Sequence, residues 1–167
     1  NGHLSIPRLP DFPGNFTGRV MHSSEYKRPD IFKEGDGVLV VGGGNSACDI
    51  AVEAADSGAK VFHSTRRGYH YIPKHLFGRP SDIMNDMMHR FHVPMFVRRA
   101  VATFFIRLHI GSFKSIGLPE PDTALFTSHP TVNTQLPRYV KRGLIHPRPD
   151  IDRFDGNTVY FKDGTSE

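Results

Sequence analysis

The chain has 167 residues, of which 38% are hydrophobic and 16 are glycine, with 21 basic and 17 acidic side chains giving a net charge of +4. That is one domain of ordinary size with material for a core; its basic pairs Arg66-Arg67, Arg98-Arg99 and Lys141-Arg142 are too scattered to argue for nucleic acid and favour a small anionic ligand. The single cysteine, Cys48, excludes an internal disulfide framework and fits a reducing, cytoplasmic setting, while the longest near-apolar run, Ala100 to Ile106, is too short to span a bilayer.

Residues 1 to about 35 form a proline-rich connector, stiffened by Pro7, Pro10, Pro13 and Pro29, that should run extended over a surface. Within it, Phe16 to Tyr26 predicts a glycine turn, a short strand around Arg19 to His22 and an aromatic anchor. From residue 36 the pattern becomes α/β. Gly37-Val38-Leu39-Val40-Val41 is a strand, Gly42-Gly43-Gly44 a tight turn, and Asn45-Ser46-Ala47 opens a helix with apolar spacing that runs to Gly58. Lys60 to Ser64 then returns as the second strand of a βαβ unit.

In a dinucleotide-binding fold this order has a physical reason. Gly42 permits the turn, Gly44 lets backbone approach a pyrophosphate, and the small Ala47 lets helix pack on strand, while the unpaired amides at the helix start attract phosphate. The alternative is a purely structural βαβ unit. NAD sites place a carboxylate about 20 residues past the glycines; this chain offers Ser64-Thr65-Arg66-Arg67 there. Guanidinium groups pair with a 2′-phosphate, which points to NADP, against the alternative that both arginines are solvated loop residues.

Gly68 to Lys74 reads as a loop whose aromatics either flank an adenine or cover the sheet edge. A helical insertion follows at about 80–118: Met84, Met87, Met88, Phe91 and Met95 mark one amphipathic helix and, after Pro94, Val97, Val101, Phe104, Phe105 and Leu108 another. Their arginines leave a membrane-surface role as the alternative to packing on protein. A loop from Asp122 to Thr134 precedes a short helix near Leu136 to Arg142 stopped by Gly143, a strand at Leu144 to His146, and a small antiparallel meander from Ile151 to Lys162. No cluster has metal-ligand spacing and no nucleophile stands out, so any chemistry belongs to a cofactor.

Two motifs resemble one family. Phe16, Gly18, His22 and Tyr26 fit F-x-G-x-x-x-H-x-x-x-aromatic, and Gly42, Gly44, Asn45, Ser46, Ala47, Asp49, Ile50 and Ala51 fit the glycine-rich pattern that follows it in the flavin-containing monooxygenases. The resemblance implies a Rossmann-like NADPH-binding domain with a parallel sheet, a meander and a two-helix insertion, the flanking halves of an FAD domain lying outside these residues. It implies Gly42, Gly43, Gly44, Asn45, Ser46 and Ala47 at the pyrophosphate, Ser64, Thr65, Arg66 and Arg67 at the adenosine phosphate end, and His22 near the domain junction. The implied reaction of the parent is reduction of FAD by NADPH and transfer of oxygen from O2 to a soft nitrogen or sulfur, with a homodimer allowed and no bond-making residue in this stretch. Baeyer-Villiger oxidation of ketones and a non-enzymatic NADP module are the alternatives; Tyr26, where tryptophan is usual in the former, tilts the reading toward heteroatoms.

Overall fold

A computed structural model describes residues 9–72, 75–76, 79–80, 90–125, 127 and 131–167. In chain order it forms β1 (Gly14–Phe16), β2 (Gly37–Val41), α1 (Asn45–Asp56), β3 (Lys60–Ser64), β4 (Tyr71–Ile72), β5 (His75–Leu76), β6 (Arg79–Pro80), α2 (Met95–Ile110), β7 (Thr131–Val132), α3 (Gln135–Lys141), β8 (Ile145–Arg148), β9 (Ile151–Gly156) and β10 (Thr158–Phe161). β-branched residues favour the pleated, half-buried setting of β2, which pairs in parallel with β3, Gly37 opposite Lys60 through Val41 opposite Ser64. β8 joins the other side of β3, also in parallel, giving the order β2-β3-β8.

The connection from β2 to β3 is α1, which buries Cys48, Ala51, Val52 and Ala54 against the sheet. Small side chains let its axis lie close to the strands, as the pattern predicts. Before β8, α3 ends where expected: Gly143 has φ +73°, its N–H donates to the Val140 carbonyl and the Leu144 N–H to that of Tyr139. The start of α3 is held by Asn133, fully buried, whose side-chain oxygen accepts from the amides of Gln135 and Leu136 while its Nδ2 donates to Asp49 on α1 at 2.8 Å.

The opposite face of the sheet packs on the meander. β9 and β10 are antiparallel, and Leu39 of β2 joins Ile151, Phe154, Val159 and Phe161 in a second apolar cluster. The strand expected at Arg19 to His22 is absent; the connector instead gives β1 at Gly14–Phe16, parallel to β9. The cause is tertiary. Phe154 donates its N–H to the Pro13 carbonyl, and at Gly14, with φ +91°, a Cβ would lie 2.0 Å from the Phe154 oxygen, so only glycine fits that approach.

Two further expectations shift. Tyr71 does not lie in a loop: β4 pairs in parallel with β7, and the Tyr71 ring is buried edge-on against Phe113, so it cannot flank an adenine. The first helix of the insertion falls largely on residues outside those described. The second exists as α2, but its buried stripe is Arg98, Ile106 and Ile110, with Ala102 half-buried, whereas Phe104 and Leu108 are exposed. The stretch is apolar on nearly every side, so periodicity alone does not select a face; Phe113, Leu118 and Leu125 of the same core do. No helix among the described residues is long and apolar enough to cross a membrane, and no three metal-ligating side chains gather among them.

Burial first, and the neighbouring Asp49 carboxylate second, push the Cys48 thiol up to about 12. The folded chain should therefore resist alkylation by iodoacetamide at pH 8 and yield its one thiol only in denaturant; rapid native labelling measured by mass spectrometry would contradict this packing.

Candidate functional site

β2 and β3 end at the same level, and their carboxyl edge carries the glycine elbow. Gly42 leaves the sheet at φ +109°, a conformation that glycine alone adopts readily, after its N–H makes a last bond to the Ser64 carbonyl at 2.9 Å. Gly43 is required for a different reason. The Tyr69 ring lies over it, and a Cβ there would come within 2.2 Å of the ring.

Gly44 has neither reason. As the N-cap of α1 it has φ −77° and ψ 168°, ordinary for any residue, and nothing lies within 4 Å of where its Cβ would be. The space over it is open. No side chain caps α1 and no acidic residue sits in its first turn. Among the described residues, the amides of Gly43, Gly44, Asn45 and Ser46 meet no acceptor. Unpaired amides at the positive end of a helix, under a glycine that leaves room, suit an anion approaching backbone. The Asn45 side chain is committed to structure, its Oδ1 accepting from the Val132 amide at 2.9 Å, and Ala47 is half-buried on the sheet side.

At the end of β3 the expected residues divide. Ser64 and Thr65 are buried; the Ser64 hydroxyl donates to the Pro149 carbonyl at 2.7 Å and the Thr65 amide to that of Arg148. Arg66 and Arg67 are exposed. Arg67 stacks its guanidinium over Tyr69, 5.4 Å from the ring centroid, and since that ring rests on Gly43 the cation stands beside the elbow. Among the described residues, no hydrogen bond, ion pair or ring contact involves Arg66.

The connector motif is anchored at both ends. Phe16 packs on Phe154 with ring centroids 5.3 Å apart, and its ring folds over Gly18, where a Cβ would meet it at 2.6 Å, which accounts for the F-x-G spacing. Tyr26 stacks on Phe32 and donates its hydroxyl to Glu53 of α1 at 2.5 Å; burial and that carboxylate raise the phenol's pKa. Between these anchors His22 Nδ1 meets both the Ser24 hydroxyl, at 2.8 Å, and the Ser24 N–H, at 3.2 Å.

Sequence reading missed two residues at the elbow. His63, 1% exposed, donates from Nε2 to the Gly42 carbonyl at 2.7 Å, and Thr131, 4% exposed, donates its hydroxyl to the Gly43 carbonyl at 2.6 Å. No local signal marks either one. His63 sits among strand residues, and Thr131 lies 88 positions from its partner.

A parallel β-α-β unit with a glycine elbow at its carboxyl edge defines a Rossmann-type α/β protein. A flavin monooxygenase from Stenotrophomonas maltophilia has a similar fold, with TM-score 0.57 over 96% of this chain and 36% of that one at 18% identity. Flavin-containing monooxygenase 5 of Cavia porcellus is 30% identical and flavin-containing monooxygenase 3 of Canis lupus familiaris 34% identical, each over 99% of the chain. The chain spans 32% of the length of these relatives. The model of the family described as flavin-binding monooxygenase-like matches residues 1–167, and the chain belongs to that family of flavin-dependent monooxygenases.

Burial drives the His63 pKa below its ordinary 6.5, against a smaller opposing effect of the Gly42 carbonyl. An unfolded His63 takes up a proton near pH 6.5, the folded one only at lower pH; between those values the unfolded chain binds more protons, so stability is full above that window and erodes as pH falls through it. Urea midpoints measured from about pH 7 to pH 5 should fall less steeply for His63→Gln than for the wild type. Equal slopes would show that His63 titrates normally.

Proposed function

We propose that this chain is the NADPH-binding module of a flavin-dependent monooxygenase that oxygenates a soft nitrogen or sulfur of a small molecule. The observation that carries the nucleotide part is Gly44: a glycine that its own chain does not need, in open space, beneath unpaired helix amides. Held at this elbow, NADPH would supply the hydride equivalent that a flavin-dependent oxygenation by O2 requires.

In this reading the amides of Gly43, Gly44, Asn45 and Ser46 hold the pyrophosphate, while Arg66 and Arg67 take the 2′-phosphate through paired charge-assisted hydrogen bonds. Tyr69, half-buried between Gly43 and Arg67, borders the adenosine side. Ser64 and Thr65 act by fixing the backbone from which the arginines extend, since their side chains are buried. His22 stands at the junction with the flavin-binding part of the protein. Nitrogen as the oxygen acceptor is supported by the name of a 33% identical relative, dimethylaniline monooxygenase (N-oxide-forming) 2 of Macaca mulatta.

Calorimetric titration of the chain should give tighter binding of NADPH than of NADH. Replacing Arg66 and Arg67 by Ala should cost NADPH about tenfold or more, the worth of one lost charge-assisted contact, and leave NADH unchanged. Equal affinity for the two nucleotides before mutation would overturn the 2′-phosphate assignment.

A further inference from the structure

We propose that His63 and Thr131 are positioning residues that preform the anion-binding face of the elbow by holding its carbonyls from behind. The inference rests on the reading of the elbow as a pyrophosphate seat. It begins from peptide geometry. In a planar trans peptide the C=O of one residue and the N–H of the next point in opposite directions. Fixing the Gly42 carbonyl on His63 therefore turns the Gly43 amide away from β3, and fixing the Gly43 carbonyl on Thr131 turns the exposed Gly44 amide away from β7.

Something must do this work, because the elbow lies past the last rung of the sheet. Gly42 donates to Ser64, but beyond it no ladder holds the backbone until α1 begins, and three successive glycines resist ordering more than any other residues do. Two side chains from elsewhere in the fold supply the missing restraint. One comes from β3, 21 positions away, the other from β7, 88 positions away, so the elbow is ordered only once both strands are in place.

The choice of histidine supports the role. Position 63 is almost completely enclosed, and its Nδ1 has no hydrogen-bond partner among the described residues. An aliphatic residue such as Val61, two positions earlier on the same face of β3, would fill such a site without stranding a polar atom. What imidazole adds is the Nε2–H directed at Gly42, a donor that an aliphatic side chain lacks. At 131, valine would have nearly the shape of threonine and lacks only the hydroxyl that reaches Gly43.

The test titrates the full chain with NADP⁺ and with adenosine 2′-monophosphate, which carries the 2′-phosphate but no pyrophosphate, and records thermal midpoints alongside. His63→Leu and Thr131→Val should each weaken NADP⁺ by about tenfold while leaving the monophosphate unchanged, and His63→Gln and Thr131→Ser, which keep a donor, should recover most of the loss. Folded His63→Leu and Thr131→Val proteins with wild-type NADP⁺ affinity overturn the positioning role alone, as does an equal loss for both ligands or no recovery by the donor-keeping variants. A wild-type chain that binds neither ligand overturns the dinucleotide reading, and the positioning role with it.

Discussion

The parallel pairing of β2 with β3 is the constraint on which everything else rests. Because Val41 stands opposite Ser64, both strands end on one line, and the segments that leave them, the glycine elbow and the arginine loop, emerge side by side. A one-residue slip of β2 against β3 would move the elbow relative to that loop and turn Val38 and Val40 to the meander side. The hydrogen bonds at that edge, Gly42 to Ser64 and His63 to Gly42, close the end of the sheet and join the two exits into one surface.

Around this edge the fold distributes its two apolar clusters unequally. The larger one joins α1, α2 and α3 to one face of the sheet; the smaller one, Ile151, Val159 and Phe161 with Phe16 and Leu39, fastens the meander and β1 to the other. The connector thus belongs to both sides. Phe16 is held on the meander and Tyr26 on the back of α1, and a displacement of the connector is resisted by aromatic packing at one end and by a phenol-carboxylate hydrogen bond at the other. His22 lies between two fixed points with its Nδ1 held against Ser24.

The same economy appears in the loop after β3. Tyr69 closes over Gly43 and supports Arg67, so one aromatic ring both excludes a side chain from the turn and sets a cation beside it. Gly68 fits this packing too, since a Cβ there would collide with the Glu120 backbone at 1.9 Å. The short-range run Gly68-Tyr69 is thereby explained by contacts with two distant segments.

Local chemistry made the βαβ unit legible before any coordinates: β-branched residues, three glycines and a small-residue helix encode strand, turn and helix within 28 residues, Gly37 to Ser64, and the Gly143 stop and the meander are equally local. The exposed arginines could be read for the same reason, since charge and position in a loop suffice to keep a side chain in water. The place of β1, the burial of Tyr71, the inward stripe of α2 and the inward turn of Ser64 and Thr65 could not. Each depends on a partner far along the chain, and residues such as Tyr, Ser or Arg accept either setting until that partner arrives. His63 and Thr131 are the clearest case, because nothing in the local pattern distinguishes a histidine that holds a carbonyl from one that faces solvent; only the close approach of three strands, which buries the ring and brings Gly42 to its nitrogen, decides between them.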